Sequence, residues 1–201
     1  GLLGAMVYCS SHIIWMWGSL LRVDTLAVFL NVLALWVFLE PSWKRNKSNM
    51  TIIALLCLGS AFTRQTMIAS FASILVITIW KYRDLSLRLL CTYFFCGILG
   101  LFCLSFWSGG HAYMHLVEAN INDFSWSNTF FFFATMWDLY HAFVPALMIG
   151  IWSVWREKSV LVLYALFATL VSMTVGKIGA SLNYLMELWV AISILVAIGI
   201  G

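Results

Sequence analysis

The chain has 201 residues, 63% of them hydrophobic and 9% charged, and its 11 basic and 8 acidic side chains leave a net charge of +3. A soluble domain is nearer half apolar and a quarter charged, so an ordinary water-soluble fold is excluded. The composition points to an all-α, polytopic transmembrane helix bundle in a single domain spanning residues 1–201, without nucleic acid as a partner. Five cysteines (Cys9, Cys57, Cys91, Cys96, Cys103) lie in or beside apolar runs and form no CxxC. They read as small buried hydrophobes, not as disulfides or metal ligands.

Residues 1–9 are apolar but too short to span, and no basic region precedes them as a signal peptide would require. The chain is therefore expected to be the C-terminal portion of a longer one, beginning inside a helix. A first segment reaches about residue 16 and ends in the aromatic and polar stretch 15–24, with Trp15 and Trp17 at headgroup level. Residues 25–39 make a short spanning helix, followed by a basic hinge at 41–48. The apolar runs 51–62 and 66–80 are split by Arg64 and Gln65. As one helix they would hold Arg64 near mid-membrane, so a tight helical hairpin with residues 64–66 at its tip is preferred. Each limb would then reach only about 18–22 Å against a core of about 30 Å. A basic turn at 81–88 precedes a span at 89–106, and residues 107–128 form the longest polar segment. An aromatic-rich span at 129–152 contains Asp138 and His141, with Phe130 to Phe133 as lipid or packing surface. A third basic turn at 155–158 leads to the last two spans, 159–175 and 184–200. The total is about seven to eight membrane segments, counting the hairpin.

Threading these runs alternately through a bilayer sorts the loops into two sets. Lys44, Arg45, Lys47, Lys81, Arg83, Arg88, Arg156 and Lys158 fall on one side; only Arg22, Arg64 and Lys177 fall on the other. Positive-inside bias makes the first side cytoplasmic, as in a bacterial cytoplasmic membrane. The glycosylation patterns at Asn46 and Asn49 are discounted because they fall on that side. The external side presents three cations from three separate loops, with Gln65, Asn183, Tyr184 and a carboxylate, Glu187, close by. Such a set suits an anionic lipid headgroup, held by point charges without a phosphate loop. If the last helix begins near Ser181, Asn183 and Glu187 share a face, with Glu187 about one turn inside the membrane. The plainer alternative is a capped helix start with a snorkelling lysine.

His111, His115 and Glu118 share a face if 110–119 is helical, but no fourth ligand accompanies them, and no metal site is assigned. An interfacial amphipathic helix, with Tyr113, Met114 and Leu116 in lipid, accounts for them better. Asp138 and His141, three apart, read as a polar intramembrane pair, either proton-linked or buried and hydrogen-bonded. Haem or chlorophyll on His141 or His12 belongs only to a reading of the chain as a subunit of a larger complex.

Several stretches resemble segments of bacterial membrane glycosyltransferases of the GT-C fold, relatives of protein O-mannosyltransferases and aminoarabinose transferases. They are Arg22-Val-Asp-Thr-Leu-Ala27, Ala61-Phe-Thr-Arg-Gln-Thr66, Gly109-Gly-His111 with Asn120-Ile-Asn-Asp-Phe-Ser125, and Gly176-Lys-Ile-Gly-Ala-Ser-Leu-Asn-Tyr-Leu-Met-Glu187. They occur in the expected order across the family's C-terminal portion; Arg64 stands where lysine is commoner. The resemblance implies sugar transfer from a polyprenyl-phosphate donor at the external face. Arg64 and Lys177 would hold the phosphate, with Arg22, Asn183 and Glu187 shaping the donor or acceptor site. A divalent metal would belong to the full-length enzyme. Family members carry their catalytic acid in a first external loop, which no residues ahead of Arg22 supply, so the catalytic residue stays unassigned and Asp24 is not promoted to it. The competing reading, of another class, is a non-catalytic transmembrane subunit of a photosynthetic or respiratory complex, with membrane lipid and other subunits as partners.

Overall fold

A computed structural model describes residues 1–18, 23–41, 47–116, 118, 121–155 and 159–201; the side chains of 47, 113, 115 and 116 lie outside the description. Its elements are α1 (Leu2–Cys9), α2 (His12–Gly18), α3 (Val23–Leu39), α4 (Lys47–Thr63), α5 (Ala69–Lys81), α6 (Arg83–Trp107), α7 (His111–Leu116), α8 (Trp126–Tyr140), α9 (Val144–Val154), α10 (Ser159–Ser172) and α11 (Met186–Ile200). Short 3₁₀ turns at His141–Phe143, Met173–Gly176 and Leu182–Leu185 join or extend them. The only strand-like pairing among the described residues is one antiparallel bridge between Phe124 and Lys177.

Among the described residues four stretches are long and apolar enough to cross a membrane, Arg83–Trp107, Trp126–Val154, Ser159–Gly176 and Leu182–Ile200, and the bent pair His12–Gly18 with Val23–Leu39 makes a fifth if counted as one span. This is the build of an integral, multi-pass helical membrane protein, since a helix satisfies its backbone N–H and C=O groups internally where lipid offers them no partner. The helices α4 and α5 are shorter than a span. The break between them falls where the charged residue interrupts the apolar run. Arg64 N–H still bonds the Ser60 carbonyl at 2.8 Å, and Met67 N–H bonds the Arg64 carbonyl at 2.9 Å before α5 begins. The two limbs meet where Cys57 Sγ lies 3.6 Å from Ser70 Oγ. They are not each other's main partners, however: α4 packs chiefly on α3 and α6, and α5 on α10 and α6. The expected tight hairpin is thus an open one, each limb finding its apolar partner elsewhere.

The core runs along α3, α5, α10 and α11, where Leu35, Ile74, Tyr164, Trp189 and Leu195 are fully enclosed. Helix α9 crosses α11 with no room for a side chain at the contact. A Cβ on Gly150 would overlap the Leu195 carbonyl, and one on Gly199 the Ala146 carbonyl. Small residues at a membrane helix crossing let the backbones approach and gain dispersion contact, which lipid cannot drive hydrophobically. Outside this core the helices face outward: α6 shows Phe95, Ile98, Phe102 and Phe106, and α8 shows Phe130 and Phe131. The cysteines follow that division. Cys57 is buried, but Cys9, Cys91 and Cys103 are exposed, because lipid and not core takes up much of the apolar surface here.

Candidate functional site

The start of α3, the end of α4 and the turn before α11 meet at one end of the bundle, and their polar residues meet with them. Arg64, at the end of α4, forms an ion pair with Asp24, the second residue of α3. Its Nη1 also donates to the Asn183 carbonyl at 3.3 Å, and its Nε donates to Thr66 Oγ1 at 3.1 Å. The guanidinium lies over the Tyr184 ring, 4.4 Å from its centroid, a cation–π arrangement that suits a planar, weakly hydrated cation. Asn183 closes the set by donating from Nδ2 to Asp24 Oδ2 at 3.3 Å. The Arg64 and Asp24 side chains are only 10% and 4% exposed. Asp24 stands in the first turn of α3, where the helix dipole favours a carboxylate.

A second polar layer lies deeper. Asn31 is seven residues beyond Asp24 on α3, about 10 Å along the axis. Its Nδ2 donates to Glu187 Oε1 at 2.6 Å, and its Oδ1 accepts a short hydrogen bond from Ser70 Oγ. All three residues are buried. The Ala69 backbone N–H points to the same carboxylate, yet Oε2 is buried with no hydrogen-bond partner among the described residues. Nearby, Ser60 Oγ donates to the Ala27 carbonyl at 2.8 Å and ties α4 to α3. A buried polar layer of this kind fixes helix register, because any slip leaves groups unbonded in an apolar medium.

Beside the upper layer, an apolar groove of about 410 Å³ runs between α4 and α6. Leu58, Phe62, Tyr93, Gly97 and Ile98 line it, and Gln65, at the break after α4, brings an amide to it. Gly97 keeps it open: a Cβ there would already stand 3.3 Å from Leu58 Cδ1. Phe94 and Ile98 at its rim are exposed, so the groove opens sideways toward lipid.

Of the residues singled out in the sequence, Arg64, Asn183 and Tyr184 come together here, with Gln65 at the groove and Glu187 one layer below. Arg22 lies outside the described residues. Lys177 stands in a neighbouring paired loop, where Ser125 N–H bonds the Gly176 carbonyl and Ile178 N–H bonds the Asp123 carbonyl, each at 2.8 Å. Glu187 and Asn183 share the inward side but bond different partners on α3. Asp138 and His141 do not form the expected buried pair; both are exposed. The helix gives way at Tyr140, and His141 Nδ1 turns back to the Trp137 carbonyl at 3.2 Å, away from the carboxylate. Three participants escaped the sequence reading: Asp24 as the partner of Arg64, and Asn31 and Ser70 as partners of Glu187's layer. An asparagine inside the apolar run Ala27-Val-Phe-Leu-Asn31-Val-Leu-Ala-Leu-Trp36 was the available signal. Among the described residues no three His, Cys, Asp or Glu side chains are grouped to hold a metal ion. No protein-family model matches this sequence, and neither a curated protein nor a solved structure matches it significantly.

Proposed function

We propose that this chain is a GT-C-like membrane glycosyltransferase module that holds a polyprenyl-phosphate sugar donor at the external face of a bacterial cytoplasmic membrane. Its membrane region would comprise about seven to eight segments, the two short limbs α4 and α5 included. The observation that carries the reading is the laterally open groove between α4 and α6 with Gln65 in its lining, next in sequence to Arg64, whose guanidinium is paired with Asp24. A lipid chain lying in that groove brings its phosphate to the break after α4. There a guanidinium and an amide offer donors to phosphate oxygens, the geometry for which arginine is best suited. Lys177 and Arg22 would add charge from the two adjoining loops, and Asn183, Tyr184 and Glu187 would shape the site around the sugar. The catalytic base is left unassigned, since Asp24 is engaged with Arg64. The test is binding of decaprenyl phosphate to the protein in lipid nanodiscs. Arg64→Met and Lys177→Ala are each expected to weaken it about tenfold, one charged contact being worth roughly that much. If both variants bind as tightly as the wild type, the phosphate site is refuted.

One observation favours a second reading. The Arg64 guanidinium is nearly enclosed and already neutralised by Asp24. A non-catalytic membrane subunit would use this cluster as an internal latch between α3, α4 and α11. Arg64→Met would then lower stability and leave lipid binding unchanged.

A further inference from the structure

The stretch Trp126–Val154 carries an acid and an imidazole on its outer surface, well away from its ends. Asp138 lies 12 residues after Trp126 and 16 before Val154. At 1.5 Å per residue along α8 it is about 18 Å from the Trp126 end, and a 3₁₀ turn and the whole of α9 separate it from the other. His141 lies a turn further on. Both side chains are exposed, and around them the surface is apolar, with Phe131, Trp137 and Leu139 at least half exposed. Asp138 makes no hydrogen bond or ion pair among the described residues.

The other acidic and basic side chains within the candidate spans are accommodated. Arg83, Asp84 and Arg88 stand in the first two turns of α6, and Glu187 is buried against Asn31. An ionisable group left facing hydrocarbon costs several kcal/mol and is found where another helix or a cavity meets it. We infer that the α8–α9 face is a homodimer interface, in which Asp138 of each copy pairs with His141 of the other.

A second copy is the occupant that fits, because the face is complementary to itself. Two copies in one membrane have the same orientation, so their two-fold axis runs along the membrane normal and the facing helices are parallel. Asp138 stands in the last turn of α8 and His141 opens the 3₁₀ turn that follows, so the two differ in depth by only a few Å, within reach of a carboxyl and an imidazole on facing helices. The same contact is then made twice, as a two-fold interface requires. His141 Nδ1 is held by the Trp137 carbonyl, which leaves Nε2 for the carboxyl of the other copy. An acid and an imidazole sharing one proton form a pair without net charge, suited to a water-poor interface. Beside His141 a recess of about 260 Å³, walled by Tyr140, Leu147 and Trp189, offers room for an apolar side chain of the second copy.

The test counts subunits of the fluorescently labelled full chain by stepwise photobleaching in lipid vesicles, over falling protein-to-lipid ratios. The wild type should bleach mainly in two steps. Asp138→Leu and His141→Leu should each raise the ratio needed for half-dimerisation about tenfold, consistent with the modest worth of interhelical hydrogen bonds. Exchanging the pair, Asp138→His with His141→Asp, should bring dimerisation back, because the reciprocal contact survives the swap. A wild type that stays monomeric would assign the face to a different membrane partner and overturn the inference. So would a dimer indifferent to both single substitutions, or a loss that the exchange does not repair.

Discussion

Asp24→Leu should destabilise the bundle by about 3 kcal/mol, and the reasoning behind that figure can be checked with a double-mutant cycle. Removing one partner of a buried ion pair costs about 3–5 kcal/mol, chiefly because the surviving charge is left uncompensated. The lower end applies here. Arg64 keeps the Asn183 carbonyl, Thr66 Oγ1 and the Tyr184 ring, and it stands at a bundle end where it can turn toward the headgroups. Arg64→Met should cost a similar amount, by stranding the Asp24 carboxylate. Asp24→Leu with Arg64→Met strands neither charge, so the double variant should cost no more than either single one, at most about 3 kcal/mol and not about 6, a coupling of at least about 3 kcal/mol. Unfolding in mixed micelles by added SDS, followed through the 11 tryptophans, reads each corner of the cycle. Additive losses, with a coupling below about 0.5 kcal/mol, would refute the claim that these two residues form one unit. The same substitutions separate the two functional readings. If Arg64 serves a lipid phosphate, Asp24→Asn removes its internal competitor, so donor-lipid affinity rises while stability falls. If the cluster is only a latch, affinity follows neither residue.

Asn31→Leu should cost about 2–4 kcal/mol, because it strands both Glu187 Oε1 and Ser70 Oγ in the core. Glu187→Gln keeps an acceptor for Asn31 and should cost only about 1–2 kcal/mol in the same SDS titration, so the reverse order would contradict the layer described. Gly150→Leu should lower the unfolding midpoint by an amount equivalent to more than about 3 kcal/mol, since the new side chain meets the Leu195 backbone and not a movable side chain. Ile98→Trp crowds the groove between α4 and α6 from its exposed rim. It should leave stability within about 1 kcal/mol while weakening decaprenyl phosphate binding; intact binding would show that the groove holds no lipid chain.

What the sequence disclosed, and what it hid, follows from the range of the forces involved. Local interruptions were legible. Arg64 and Gln65 stop an apolar run, and the break between α4 and α5 falls there, because a guanidinium is expensive in hydrocarbon whatever surrounds it. The start of the last helix could likewise be read from Gly176 to Glu187. Gly176 is packed so closely against Phe124 and Thr129 that a Cβ would overlap both. Partner choice was not legible, since it depends on how separate helices are arranged. Asp24, Asn31 and Ser70 each look like minor polar residues in apolar helices, and only the approach of α3, α4, α5 and α11 gives them Arg64 and Glu187 as partners. The spacing of Asp138 and His141 misled for a related reason. An i, i+3 pattern presumes an unbroken helix, and the backbone leaves helical geometry at Tyr140.

The two polar layers also bear on each other. The upper one, Asp24–Arg64–Asn183, lies at the bundle end, and its members can exchange an internal contact for one with a ligand or headgroup. The lower one, Asn31–Glu187–Ser70, is fully buried and has no such exchange open to it. A ligand phosphate that draws Arg64 from Asp24 would therefore loosen the upper contact between α3, α4 and α11 while the lower layer keeps the helices in register. Hydrogen exchange should register this as faster opening at residues 182–185 on adding decaprenyl phosphate, with α11 beyond Glu187 unchanged. Uniform protection of both layers would mean that the ligand leaves Arg64 with Asp24, and the groove alone would then have to supply the affinity.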